Sequence, residues 1–181
     1  MSAKTIHKLY WDFEKEERWL NDMSAQGLNL VHYSWGTYTF ETGPAGEWIY
    51  RLELLPGDVR DPKSQKYLEF MSEVGVQAVA TYMRWVYFRR PAVDGPFEVF
   101  SDLDSRVAHY QRILTMFASI TAALVPLTVV NVVNMTRSGS SLAFVLPLFA
   151  VYLALVATLA TQTIRVWWRV RELREQKRVC E

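Results

Sequence analysis

Two long stretches of the sequence carry no charged side chain: Ile113 to Thr136, 24 residues, and Ser138 to Ile164, 27 residues. Crossing a hydrocarbon core of about 30 Å takes roughly 20 mostly apolar residues in a helix. Ile113–Val133 and Leu142–Ile164 both meet that length, whereas a soluble helix this long normally keeps a charged face. The polar link between them, NMTRSGSS at 134–141, is short, so the helices are expected to form an antiparallel hairpin. A wholly soluble chain, a disordered chain and a disulfide scaffold are excluded, the last because Cys180 is the single cysteine.

Charge placement predicts the orientation. Residues 106–181 hold 9 Lys/Arg against 3 Asp/Glu, and residues 1–105 hold 11 against 16. Only Arg137 lies in the link, while Arg106 and Arg112 precede the first span and six basic residues follow the second. Both termini are therefore expected on the cytoplasmic side of a multi-pass protein. The expected membrane-interface residues are Arg112, Arg165, Trp167, Trp168, Arg169 and Arg171, the tryptophans as amphipathic rings at headgroup level. The tail, 165–181, reads as a basic continuation of the second helix that faces anionic lipid, faces the acidic soluble part, or enforces topology. Arg171 and Glu175 are spaced to pair on its surface. Within the spans most hydroxyls are expected to bond their own helix, Asn131 and Gln162 to reach across the hairpin, and Pro126 and Pro147 to kink it.

Residues 1–105 read as one α+β domain in the order β-α-β-β-β-α-β-β. Strands are predicted over Thr5–Trp11, Leu28–Trp35, Thr37–Thr42, Trp48–Leu54, Val76–Tyr82 and Trp85–Arg89, with a short edge strand at Phe97–Phe100. The first helix is capped by Asp12 and ended by Gly27; the second runs from Pro62 to Glu73 and stops at Gly75. A single antiparallel sheet with two helices on one face, a ferredoxin-like arrangement, is the expectation. Ser101 and Asp104 form a capping-box-like start for a helix that runs into the first span.

No catalytic constellation stands out. The histidines are far apart, and no HExxH, CxxC, GxGxxG, Walker or G-x-S-x-G pattern occurs, so no catalytic residue, metal or cofactor is predicted. Glu16 and Glu17, and Asp102 and Asp104, are paired carboxylates at helix starts, where capping and dipole terms account for them. The unusual feature is aromatic density: 18 of the 25 aromatic residues fall within residues 1–105. That is more than a small core needs. The surplus can line a groove for an apolar or cationic ligand, or a patch for a partner protein; a single core built of large residues is the alternative. The candidate binding residues are Trp35, Trp48, Tyr50, Arg51, Arg84, Trp85 and Tyr87. Direct nucleic-acid binding is not expected, because the one dense basic run abuts a hydrophobic segment.

The runs WDFEKEERWLNDMSAQGLNL, YTFETGPAGEWIYRLELL, YLEFMSEVG, WVYFRRP and VFSDLDSRVAHYQRI resemble a bacterial family known as domain of unknown function 2812. The likeness covers the whole soluble part, and Leu28 departs from an aromatic common there. The resemblance implies a bacterial cytoplasmic-membrane protein, frequently encoded beside PadR-type transcriptional repressors, with no established activity. The functional expectation is a non-enzymatic regulatory or sensory membrane protein whose cytoplasmic domain binds a small ligand or a partner protein. The alternative is an accessory subunit of a larger membrane complex or transporter, or of another copy of itself.

Overall fold

A computed structural model of the chain describes residues 3–100, 102–138 and 142–180. They form two compact units, 1–102 and 103–181.

The first unit contains β1 (Ala3–His7), α1 (Phe13–Ala25), β2 (Leu28–Ser34), β3 (Thr37–Thr42), β4 (Trp48–Leu54), α2 (Pro62–Glu73), β5 (Gln77–Tyr82) and β6 (Trp85–Pro91). The order is the one predicted, but the sheet is not single. The strands divide into two antiparallel three-stranded sheets, β1-β3-β2 and β4-β6-β5. Nor do the helices share one face. Tyr50, Leu52 and Tyr87 enter a core with Leu20 and Met23 of α1, while Val86 and Phe88 enter a second core with Met71 of α2. The second sheet is thus buried on both sides, because β6 is apolar at successive positions rather than alternate ones. The first strand ends at His7, not Trp11, and Phe97–Phe100 forms no strand; Phe97 instead plugs the second core at 3% exposure.

The two sheets belong to an internal repeat. Each half is a βαββ unit whose last strand lies in the middle of its sheet. Between Phe13–Phe40 and Asp61–Phe88 a constant offset of 48 residues aligns Leu20 with Leu68, Met23 with Met71, Ser24 with Ser72, Gly27 with Gly75 and Phe40 with Phe88. The same offset relates the bulges at Leu30/His32 and Ala78/Ala80. It also relates the hairpin tips, where Trp35 (φ 41) and Met83 (φ 55) take the left-handed conformation that a tight two-residue turn requires.

The halves are joined by a seal along an edge strand. β4 borders its sheet, so one row of its backbone groups has no strand partner. On α1, Glu17, Asn21 and Ser24 stand one turn apart and supply the missing partners. The Leu52 N–H donates to the Glu17 carboxylate at 3.0 Å. The Tyr50 N–H donates to Asn21 Oδ1 at 2.8 Å, and Asn21 Nδ2 donates to the Tyr50 carbonyl at 3.1 Å. The Trp48 carbonyl accepts from Ser24 Oγ at 2.8 Å.

The second unit comprises α3 (Leu103–Ser138) and α4 (Leu142–Cys180), which pack against each other. Ser101, the expected capping partner of Asp104, lies outside the described residues, as do residues 139–141 of the link. Both helices are long and apolar enough to cross a membrane by length and composition. They leave large apolar side chains uncovered, Leu127 at 52%, Val151 at 69% and Leu153 at 50% exposure, unlike a core helix of a soluble bundle. Thr115, Ser119, Thr121, Thr128, Thr158 and Thr163 bond their own helix carbonyls. Asn131 does the same, donating to Leu127, instead of crossing the hairpin; the crossing bond runs from the Tyr152 hydroxyl to the Leu124 carbonyl.

Candidate functional site

The seven residues singled out from the sequence do not form one groove; they separate by role. Arg84 clamps a loop, donating to the carbonyls of Leu55 at 2.6 and 3.0 Å and of Pro56 at 2.9 Å. Arg51 pairs with Glu17 at 3.4 Å and Glu98 at 3.5 Å. Tyr50 is wholly buried, and its hydroxyl accepts the Leu30 N–H at 2.9 Å, tying β4 to β2. Trp48 is half-buried beneath the Arg89 guanidinium, 4.1 Å from the ring centre. Trp85 is half-buried against Phe13 at 5.8 Å. Trp35 is 75% exposed at its hairpin tip, 6.2 Å from Tyr82. Only Tyr87 leads to an unusual site.

That site is built around Glu16. Capping and dipole terms were expected to account for this carboxylate; it is buried, at 7% exposure. Asp12 does the capping, accepting from the amides of Glu14 and Lys15, and α1 turns Glu16 inward between the two sheets. Tyr38 from β3 and Tyr87 from β6 both donate to Glu16 Oε1 at 2.6 Å. Among the described residues no lysine or arginine pairs with it. The half-buried Tyr33 ring closes the group, its centre 4.7 Å from both Tyr38 and Tyr87 and 5.6 Å from Tyr82. Trp19 meets Tyr38 edge-on at 4.8 Å. Glu16, Tyr33 and Tyr38 were not among the sequence candidates. The 48-residue offset is the signal that finds Glu16, because its counterpart is Ser64, which is equally buried at 6%. The fold therefore does not need a carboxylate at this helix position.

Burial pushes the Glu16 carboxyl above its ordinary value of 4.5, and the two phenolic hydrogen bonds pull it part of the way back. Burial, reinforced by Glu16, lifts Tyr38 and Tyr87 far above the phenol range, so both remain donors. Burial also raises Glu17, opposed by the Leu52 N–H and Arg51. A raised carboxyl favours the folded state most when protonated. Its contribution is complete below about 4.5 and is lost as pH rises through the folded value. The difference in thermal midpoint between the native chain and Glu16→Gln is therefore expected to move in favour of the variant from pH 5 to pH 8. A constant difference across that range would refute a raised Glu16.

On α4, Trp167 and Trp168 are half-exposed, with rings 5.0 Å apart and the Arg171 guanidinium 5.9 and 5.6 Å from them. Arg171 pairs with Glu175 at 3.1 Å, as its spacing predicts, and Arg169 with Glu172 at 3.3 Å. Arg165 is exposed and Arg112 half-buried.

The family model described as "Protein of unknown function (DUF2812)" matches residues 12–122. No curated protein and no solved structure matches.

Proposed function

We propose that this chain, which belongs to the DUF2812 family of proteins of unknown function, is a regulatory or sensory membrane protein whose first unit binds a small ligand. The helices α3 and α4 span the bilayer with both chain ends on the cytoplasmic side. Their uncovered apolar flanks and the basic, tryptophan-bearing stretch after Ile164 support that placement. The observation that carries ligand binding is the exposed apolar end of the hairpins. Trp35 and Met83 are each 75% exposed, and Leu9, beside Gly36 at the same turn, is 67% exposed. Large apolar side chains presented at strained turns next to an aromatic cluster are a surface for recognition.

Trp35→Ala is expected to weaken binding of apolar aromatic probes by the full-length protein in nanodiscs at least fivefold. Because the side chain is exposed, the thermal midpoint should stay within about 2 °C. Unchanged binding would refute the ligand site. Reporters fused to either end should both signal from the cytoplasm; an external signal from either would refute the topology.

A further inference from the structure

Glu16 combines properties that a purely structural carboxylate does not need. It is buried, it has no lysine or arginine partner among the described residues, and the repeat-equivalent position is filled by a serine. A buried charge of this kind is costly unless a cation or a proton neutralises it. The chemistry around it selects the cation. Tyr33, Tyr38 and Tyr87 present ring faces and edges, which attract weakly hydrated, diffuse positive charge and offer a hydrated metal ion few oxygen ligands. The same cluster already seats a cation on its flank: the Lys8 ammonium lies 4.8 Å from the Tyr10 ring centre and 4.9 Å from that of Trp19.

We propose that Glu16 is the counter-ion of a binding site for a lipophilic organic cation, such as a quaternary phosphonium or ammonium ion with aromatic substituents. This rests on the ligand-binding reading above and names its chemical class. Tyr33 is the least buried member of the group. Tyr38 and Tyr87 are 0% and 2% exposed and held by Glu16, whereas Tyr33 is half-buried and its hydroxyl accepts only the Gly36 N–H, at 3.2 Å, in the adjacent turn. On this proposal the Tyr33 ring turns aside to admit the cation, and Tyr38 and Tyr87 remain beside the carboxylate. The groups bonded to Glu16 are Tyr38 from β3 and Tyr87 from β6, with Tyr33 from β2 packed on both rings; Glu17 on its own helix is engaged by Arg51. Tyr38 and Tyr87, lifted far above the phenol range by burial, stay protonated, so Glu16 is the group that titrates. A cation binding to it displaces the proton to solvent, and affinity rises with pH until Glu16 is fully ionised.

The test is calorimetric titration of tetraphenylphosphonium into the full-length chain in phosphatidylcholine nanodiscs, with empty discs subtracted. Triphenylphosphine oxide serves as the neutral comparison. The native chain should bind the cation saturably and at least tenfold more tightly than the oxide. Glu16→Gln should lose at least tenfold for the cation and little for the oxide, while its thermal midpoint at pH 7.5 is no lower than that of the native chain. Glu16→Ser, copying the counterpart residue, is the second variant should the first unfold. Equal binding of the cation by native and Glu16→Gln proteins overturns the proposal. If both probes bind without regard to Glu16, the cation site falls and the ligand-binding reading stands. If neither binds the native chain, both fall.

Discussion

Asn21→Leu lowers the thermal midpoint of the first unit by more than about 10 °C, the value expected for a loss of about 3 kcal/mol in a domain of this size. The variant keeps a good helix former, so helix propensity is not the cause. What it removes is the pair of bonds that satisfies both the N–H and the carbonyl of Tyr50 on the rim of the second sheet. Each buried backbone group left unpaired costs roughly 1–3 kcal/mol. The repeat supplies an internal control. Glu69 lies 48 positions on, is exposed, and bonds to no strand among the described residues, so Glu69→Leu should shift the midpoint by less than about 2 °C. Equal shifts for the two variants, measured by circular dichroism on the full chain, would mean that α1 does not seal β4.

The glycines that end the two helices give a second large contrast. Gly27 and Gly75 have φ of +76 and +83, so an alanine at either is strained by about 1 kcal/mol. At Gly75 the new Cβ meets nothing within 4 Å, but at Gly27 it would sit 2.7 Å from the Gly43 carbonyl oxygen. That oxygen is backbone, in a segment tied down by the bond from the Gly43 N–H to the Gly27 carbonyl at 2.9 Å. Gly27→Ala is therefore expected to cost about 3 kcal/mol against about 1 for Gly75→Ala. Denaturant unfolding of both variants measures the difference; similar midpoints would show that the 43–46 turn gives way freely.

Local chemistry was legible in the sequence, and partnership was not. Gly27, Gly75, Asp12 and Pro62 mark the helices through backbone rules that act within a few residues. The alternation of Tyr38 and Phe40 marks β3 in the same way. Which elements meet depends on facts that short-range periodicity does not encode. Glu17, Asn21 and Ser24 are polar residues with no local mark of a partner, and only the structure shows a strand edge lying against them. Val86, Tyr87 and Phe88 are consecutive and all buried, which no alternating pattern predicts. The same limit hid the Glu16 cluster. Glu16 obeys the rule that acids favour the first turn of a helix, so its inward aim had no local signature. Tyr87 was reached because it is aromatic, and its partners Tyr33 and Tyr38 went unmarked among many similar residues. The two-sheet division was recoverable in principle from the 48-residue offset, since identical glycines, methionines and serines recur at that distance.

The seal on β4 also sets the two halves different tasks. The polar flank of α1 is committed to joining them, so Glu17, Asn21 and Ser24 are bound by a structural duty. Their counterparts Gln65, Glu69 and Ser72 face water and carry none of it. One member of the pair is held in place as mortar and the other is not, so substitutions on the outer flank of α2 should be tolerated far better than those on the matching flank of α1.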